Sequence, residues 1–222
     1  MAYSGELTTL SRLPSAAYRE LPSQYAHLLE TPPQYARGLA VLITDMQSPD
    51  LEAIGGENRN RLISAQGDLL ELCIPLQIPT IVLEYRSRGS AMRGPTIEPL
   101  ASLAKLTPSY GRVEKKWDNA FCDTELARML QERETQTVIL AGIKASSCLK
   151  STGEGAIREG FKIATSGDLI ADPPDWKLDC SRAWYKTSGI YEETMPEMIV
   201  QCMAQNKNTG SATRPTASSL RQ

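Results

Sequence analysis

Short apolar runs rich in β-branched residues alternate along this chain with segments of helical periodicity, and this alternation restricts the fold more than any other feature. The runs GLAVLITDM (38–46), PTIVLEYR (79–86) and QTVILAG (136–142) are continuous rather than alternating, as strands buried on both faces require. A further strand lies within FKIATSGDLIAD, and VEKKW is a short strand-like piece. Between them, residues 57–77 place Leu62, Ile63, Leu69, Leu70, Leu72 and Cys73 near helical spacing. CDTELARMLQERE reads as a helix capped by Asp123 or Thr124. SSCLKSTGEGAIREG reads as another, and residues 178–205 close the chain with helical character. Strands separated by helices predict an α/β fold: a three-layer α/β/α sandwich with a mostly parallel central sheet, Rossmann-like in plan.

The domain is expected to span 38–205. Residues 1–37, broken by Pro14, Pro22, Pro32 and Pro33, read as an arm lying on it. Residues 206–222 are rich in Ser, Thr and Asn and are expected to be disordered. A loop of about 25 residues, rich in Gly, Ser, Pro and Arg, follows the second strand, and a loop so long is usually functional.

The charges nearly cancel, with 24 Lys plus Arg against 26 Asp plus Glu, so nucleic acid and anionic membranes are not expected partners. No run approaches the roughly 20 apolar residues of a membrane span, and the first twenty residues do not read as a secretory signal. The 5 cysteines show no CxxC spacing, so no zinc knuckle or disulfide framework is indicated and a reducing, cytoplasmic location is expected.

In open parallel sheets, ligands sit beyond the carboxyl ends of the strands. Asp45 and Gln47, Tyr85 and Arg86, and residues 144–148 occupy those positions. Cys148 stands where a strand turns into a helix, a place that favours thiolate over thiol. The only histidine, His27, lies in the arm, so a Cys–His dyad is not expected. Asp45 is a candidate proton acceptor, and a lysine at the pocket edge would hold it ionised. Each signal alone has an ordinary reading as core cysteine, turn cap or solvated charge.

Taken together, VLITDMQ, VEKKWDNAF and LAGIKASSCLKSTGEGAIREGFKI resemble the isochorismatase-like cysteine hydrolase superfamily. The carrying positions are Asp45 and Gln47, Lys115 six residues before Phe121, Gly142 six before Cys148, and Gly160; the resemblance runs from about 38 to 203. It implies Cys148 as nucleophile, Asp45 as general base and Lys115 as the cation between them, with Lys116 as the competing lysine. It also implies a cis Ile143–Lys144 peptide that aims the N–H groups of Lys144 and Cys148 at an oxyanion. A homo-oligomer is implied too, and TSGIYEETMPEMIVQCM is a candidate isologous patch.

Two departures bear on the chemistry. Nicotinamidases of the superfamily hold a metal through an Asp and several His near the second strand, whereas LEYRSRGSAMRGP has no histidine. Isochorismatases lack the nucleophilic cysteine. A third departure concerns the pocket lining, since Asp50 stands near the place where relatives often carry Phe. The expected activity is cofactor-free, metal-free hydrolysis of a C–N bond in a small amide, ureido or carbamoyl substrate through a thioester. Gln47, Tyr85, Trp117, Asn119 and Phe121 are the candidate pocket wall. The alternative is a catalytically silent binding or assembly module.

Overall fold

A computed structural model describes residues 25–30, 33–86 and 93–209. The elements run in chain order as α1 (Ala26–Leu29), a 3-10 turn (Pro33–Ala36), β1 (Leu39–Thr44), α2 (Ser48–Leu51), α3 (Gly56–Leu76), β2 (Thr80–Tyr85) and α4 (Leu100–Leu106). They continue with β3 (Gly111–Lys115), α5 (Leu126–Glu132), β4 (Thr137–Ile143), a π-helical turn (Ala145–Leu149), α6 (Lys150–Arg158), β5 (Lys162–Ser166) and β6 (Ile170–Ala171). The last are α7 (Asp175–Ser188), β7 (Ile190–Glu192) and α8 (Met195–Thr209).

The strands form one seven-stranded sheet in the order β3-β2-β1-β4-β5-β7, with β6 pairing on β4. Every ladder is parallel, and helices flank the sheet, as the alternation of apolar runs and amphipathic segments requires. All residues of β1 and β4 are buried, which explains their unbroken apolar sequence. At the edge, β3 instead alternates buried and exposed residues, so Gly111, Val113 and Lys115 face inward while Arg112 and Glu114 face solvent. Among the described residues, no helix is long and apolar enough to cross a membrane.

Where β1 pairs with β4, Thr44 lies opposite Gly142, and the backbones there approach too closely for a side chain. A Cβ on Gly142 would sit 2.0 Å from the Thr44 carbonyl oxygen, and its φ of +132° disfavours any L side chain. Gly142→Ala is therefore expected to cost about 3 kcal/mol or more in urea unfolding, through backbone strain and displacement of the strand pair.

Several elements depart from the sequence expectation. Helix α4 interrupts the long loop, and strand β7 interrupts the closing helical segment. The last helix reaches Thr209, four residues beyond the expected end of the domain at 205; residues 210–222, like 1–24, lie outside the described residues. The described end of the arm packs on the domain, with Tyr25, Leu28 and Ala36 buried and the Tyr25 hydroxyl 3.0 Å from Asp68 Oδ2. The candidate isologous patch is corrected: Met195, Met198, Ile199, Cys202 and Met203 are buried in the core, and among the large apolar side chains of α8 Val200 stands exposed. Their spacing serves to pack α8 inward.

Candidate active site

The strand order changes direction between β1 and β4, because the chain runs from β1 outward to β2 and β3 before returning to β4 on the other side. Such a switch point leaves a crevice beyond the strand ends. Asp45 follows β1 there, Lys115 ends β3, and Cys148 lies in the turn after β4. The structure brings these three together.

Lys115 Nζ donates to Asp45 Oδ2 at 2.8 Å, and both side chains are almost wholly buried, 0% and 3% exposed. The ammonium also lies 4.0 Å above the Tyr85 ring. Lys116 points the other way and is exposed, as strand alternation demands. Burial pushes the Asp45 carboxyl above the ordinary carboxylate range, with Lys115 opposing. Asp45 Oδ1 is buried with no hydrogen-bond donor, an oxygen able to accept a proton.

Cys148 is the fourth residue of the π-helical turn rather than the first of the helix, which begins at Lys150. Burial, followed by the Asp45 charge, pushes its thiol up to about 12; Lys115 opposes this and Asp118 adds to it. Desolvation and the two carboxylates thus oppose the preference for thiolate that the turn's N–H groups and the lysine supply. The Ile143–Lys144 peptide is cis. Asp172 Oδ2 accepts the Ser146 N–H at 2.5 Å, and the buried Tyr185 hydroxyl donates to the Ala145 carbonyl at 2.7 Å, so the turn is held from two sides.

These groups open on a cavity of about 390 Å³ lined by Asp45, Asp50, Tyr85, Arg93, Asp118, Ile143, Lys144, Ser147 and Cys148. Arg93 Nη1 lies 2.7 Å from Asp50 Oδ2, and Lys144 Nζ lies 3.4 Å from Asp50 Oδ1. Arg93 also stacks 4.9 Å from the Tyr85 ring centre. The Asp50 position, noted in the sequence as a departure, therefore organises two cations at the rim.

Of the candidate wall residues, only Tyr85 lines this cavity. Gln47 is corrected to a structural clamp: its Nε2 donates to the Gly94 carbonyl at 2.6 Å, and its Oε1 accepts the Tyr85 N–H at 2.9 Å. Trp117 is 49% exposed, with its indole N–H on Asp123. Asn119 Oδ1 accepts the Phe121 N–H at 2.9 Å, an Asx-type turn that a sequence reading of Asn as a turn former anticipates. Phe121 stacks on Phe161 away from the cavity. Asp118 and Arg93, both at the cavity, escaped the sequence reading.

The donors do not fit a divalent metal. Asp50 is committed to Arg93 and Lys144, and residues 86–99 contain no histidine. Among the described residues, no group of three or more His, Cys, Asp or Glu is placed to hold an ion.

Comparison with known proteins bears on the family and the fold. The isochorismatase domain model matches residues 39–179. Maleamate amidohydrolase of Pseudomonas putida is 31% identical over 77 residues, which is 33% of this chain and only 36% of that enzyme. A nicotinamidase from Staphylococcus aureus superposes with a TM-score of 0.58 at 21% identity, covering 70% of this chain and 99% of that one. An octameric hydrolase of unknown specificity from Escherichia coli superposes with a TM-score of 0.60 at 19% identity, covering 77% and 86%. At such identities, the two structures share a fold.

Proposed function

The chain belongs to the isochorismatase family, and from that premise we propose that it is a cysteine hydrolase cleaving the C–N bond of a small amide, ureido or carbamoyl compound. The observation that carries this reading is the buried Lys115–Asp45 pair, 2.8 Å apart, beside Cys148 at the topological switch point. A buried ion pair is weak support for stability, so its placement here is better explained by chemistry.

In the proposed reaction, the Cys148 proton passes to Asp45 Oδ1 as sulfur attacks the carbonyl carbon, and a C–S bond forms. The oxyanion is held by the N–H groups of Lys144 and Cys148. Collapse breaks the C–N bond, and Asp45 returns the proton to the leaving amine. Water then attacks the thioester, again losing its proton to Asp45, and the thiol is regenerated. Lys115 favours the ionised form of Asp45, the form able to accept a proton, against the burial that favours the protonated form. The named activities of the amidohydrolase and nicotinamidase relatives support a C–N bond as the target. The octameric neighbour supports a homo-oligomer.

A screen across amides, ureido acids and carbamoyl compounds tests the proposal, with turnover of at least one class expected and none overturning it. Chelation is the companion measurement. Activity is expected to survive EDTA unchanged, because the donor set suits no zinc. Loss on chelation with recovery on adding zinc or manganese would exclude the metal-free mechanism.

A further inference from the structure

The cavity beside Cys148 is polar almost throughout. Among the described residues, Ile143 is its one aliphatic side chain and Tyr85 its one aromatic. Two cations already lie against the Tyr85 ring, Lys115 Nζ at 4.0 Å from its centre and the Arg93 guanidinium at 4.9 Å. An aromatic or long aliphatic amide would find little apolar surface here, and it would strip water from charged groups without replacing it.

Charge divides the cavity into two ends. At the reacting end, Asp118 Oδ1 lies 3.5 Å from Cys148 Sγ and accepts the Tyr85 hydroxyl at 3.1 Å. A carboxylate there can accept an N–H of the group under attack. At the rim, Arg93 and Lys144 converge on Asp50 with side chains 34% and 40% exposed. One cation would balance Asp50; the second leaves a surplus positive charge, and ion pairs so exposed add little to stability. Among the described residues, Asp118 makes no ion pair, so the two ends do not cancel each other. Asp50 and the Tyr85 ring hold the Arg93 guanidinium in place, and its planar fork is thus ordered before a ligand arrives.

We infer that Arg93, with Lys144 beside it, is a specificity-determining residue that binds a carboxylate carried by the substrate. The inference rests on the hydrolase reading and narrows it. The substrate is a small amide or ureido acid, with its carboxylate on Arg93 and an N–H of its scissile group toward Asp118. The guanidinium fork matches a carboxylate in shape, and a single carboxylate balances the surplus charge. A phosphate monoester would exceed it, with a charge of about −1.5 to −2.

The test uses two pairs of probes that differ by a methyl group in place of the carboxylate: succinamate against butyramide, and N-carbamoylglycine against N-ethylurea. Ammonia release is followed for each. Wild type is expected to favour the acid of at least one pair by about tenfold or more in kcat/KM, the usual effect of a hydrogen bond to a charged group. Arg93→Gln is expected to lower that preference by about tenfold, chiefly through a higher KM for the acid, and Arg93→Lys to restore part of it. Equal use of acid and neutral probes by wild type overturns the inference and leaves the hydrolase reading standing. An equal loss on both members of a pair in Arg93→Gln also overturns it, because the arginine would then serve only the fold. If no probe is hydrolysed, calorimetry with N-carbamoylglycine decides. Binding to wild type that Arg93→Gln abolishes keeps the carboxylate site while the hydrolase reading fails on these probes, and absence of binding overturns the site as well.

Discussion

Cys148→Ser is expected to lower kcat on the amide substrate by roughly 10³-fold or more while leaving the fold unchanged. Cys148 lines the crevice beside Asp45. Serine is nearly isosteric with cysteine, so the π-helical turn held by Asp172 and Tyr185 should persist. What changes is the acidity of the attacking group. A thiol pushed up to about 12 is still a far better proton donor to Asp45 than an alcohol in the same buried place. With the thiol pushed up by burial, attack depends on proton transfer during the reaction, and the serine variant is expected to lack that step at any useful rate. Steady-state kinetics with circular dichroism and a melting curve checks this. Wild-type turnover in a folded variant would mean that Cys148 is not the nucleophile and would require another mechanism.

Lys115→Ala is expected to lower kcat by orders of magnitude, and Lys116→Ala by no more than a few-fold. The two lysines are neighbours in sequence but opposites in space. The alternation of β3 buries Lys115 against Asp45 and leaves Lys116 exposed. Removing Lys115 strands the Asp45 carboxylate in a dry site, and breaking a buried pair in this way typically costs about 3–5 kcal/mol of stability. Asp45 then escapes the uncompensated charge by staying protonated near neutral pH, and a protonated Asp45 cannot accept the thiol proton. The melting temperature of Lys115→Ala should therefore fall along with its activity. The Lys116 variant should show neither change. Equal activity in the two variants would require the cation of the site to be reassigned.

The parts of this protein legible in the sequence are those with a single physical explanation. Strands β1 and β4 are buried on both faces, and only an unbroken apolar run can satisfy that. Lys115 could be separated from Lys116 because the resemblance fixed its spacing to Phe121, and the strand period then put only one of them inward. Strand β7 escaped notice because it is only three half-buried residues, too short for a period to show. Helix α4 escaped because it is only seven residues long and sits between prolines and a turn. At the cavity the failure has a different cause. Asp118 lies just past the end of β3, where alternation stops and the chain turns, so no rule of faces told Asp118 from Trp117 or Asn119. Gln47 was misassigned because a polar residue at a strand end can serve a ligand or a neighbouring backbone, and here it bonds Tyr85 and Gly94.

Lys115 reaches Asp45 from the far side of β2, across an intervening strand, and the two are 70 residues apart in the chain. No hairpin or adjacent strand pair contains both. The ammonium–carboxylate contact therefore exists only after β1, β2 and β3 have joined in parallel register, and Cys148 joins it only when β4 docks on the opposite flank of β1. Parallel pairings between distant segments form slowly, because loop closure precedes any gain from contact. A nascent or partly folded chain thus carries its thiol and its base far apart, and chemical competence arrives only with the finished sheet.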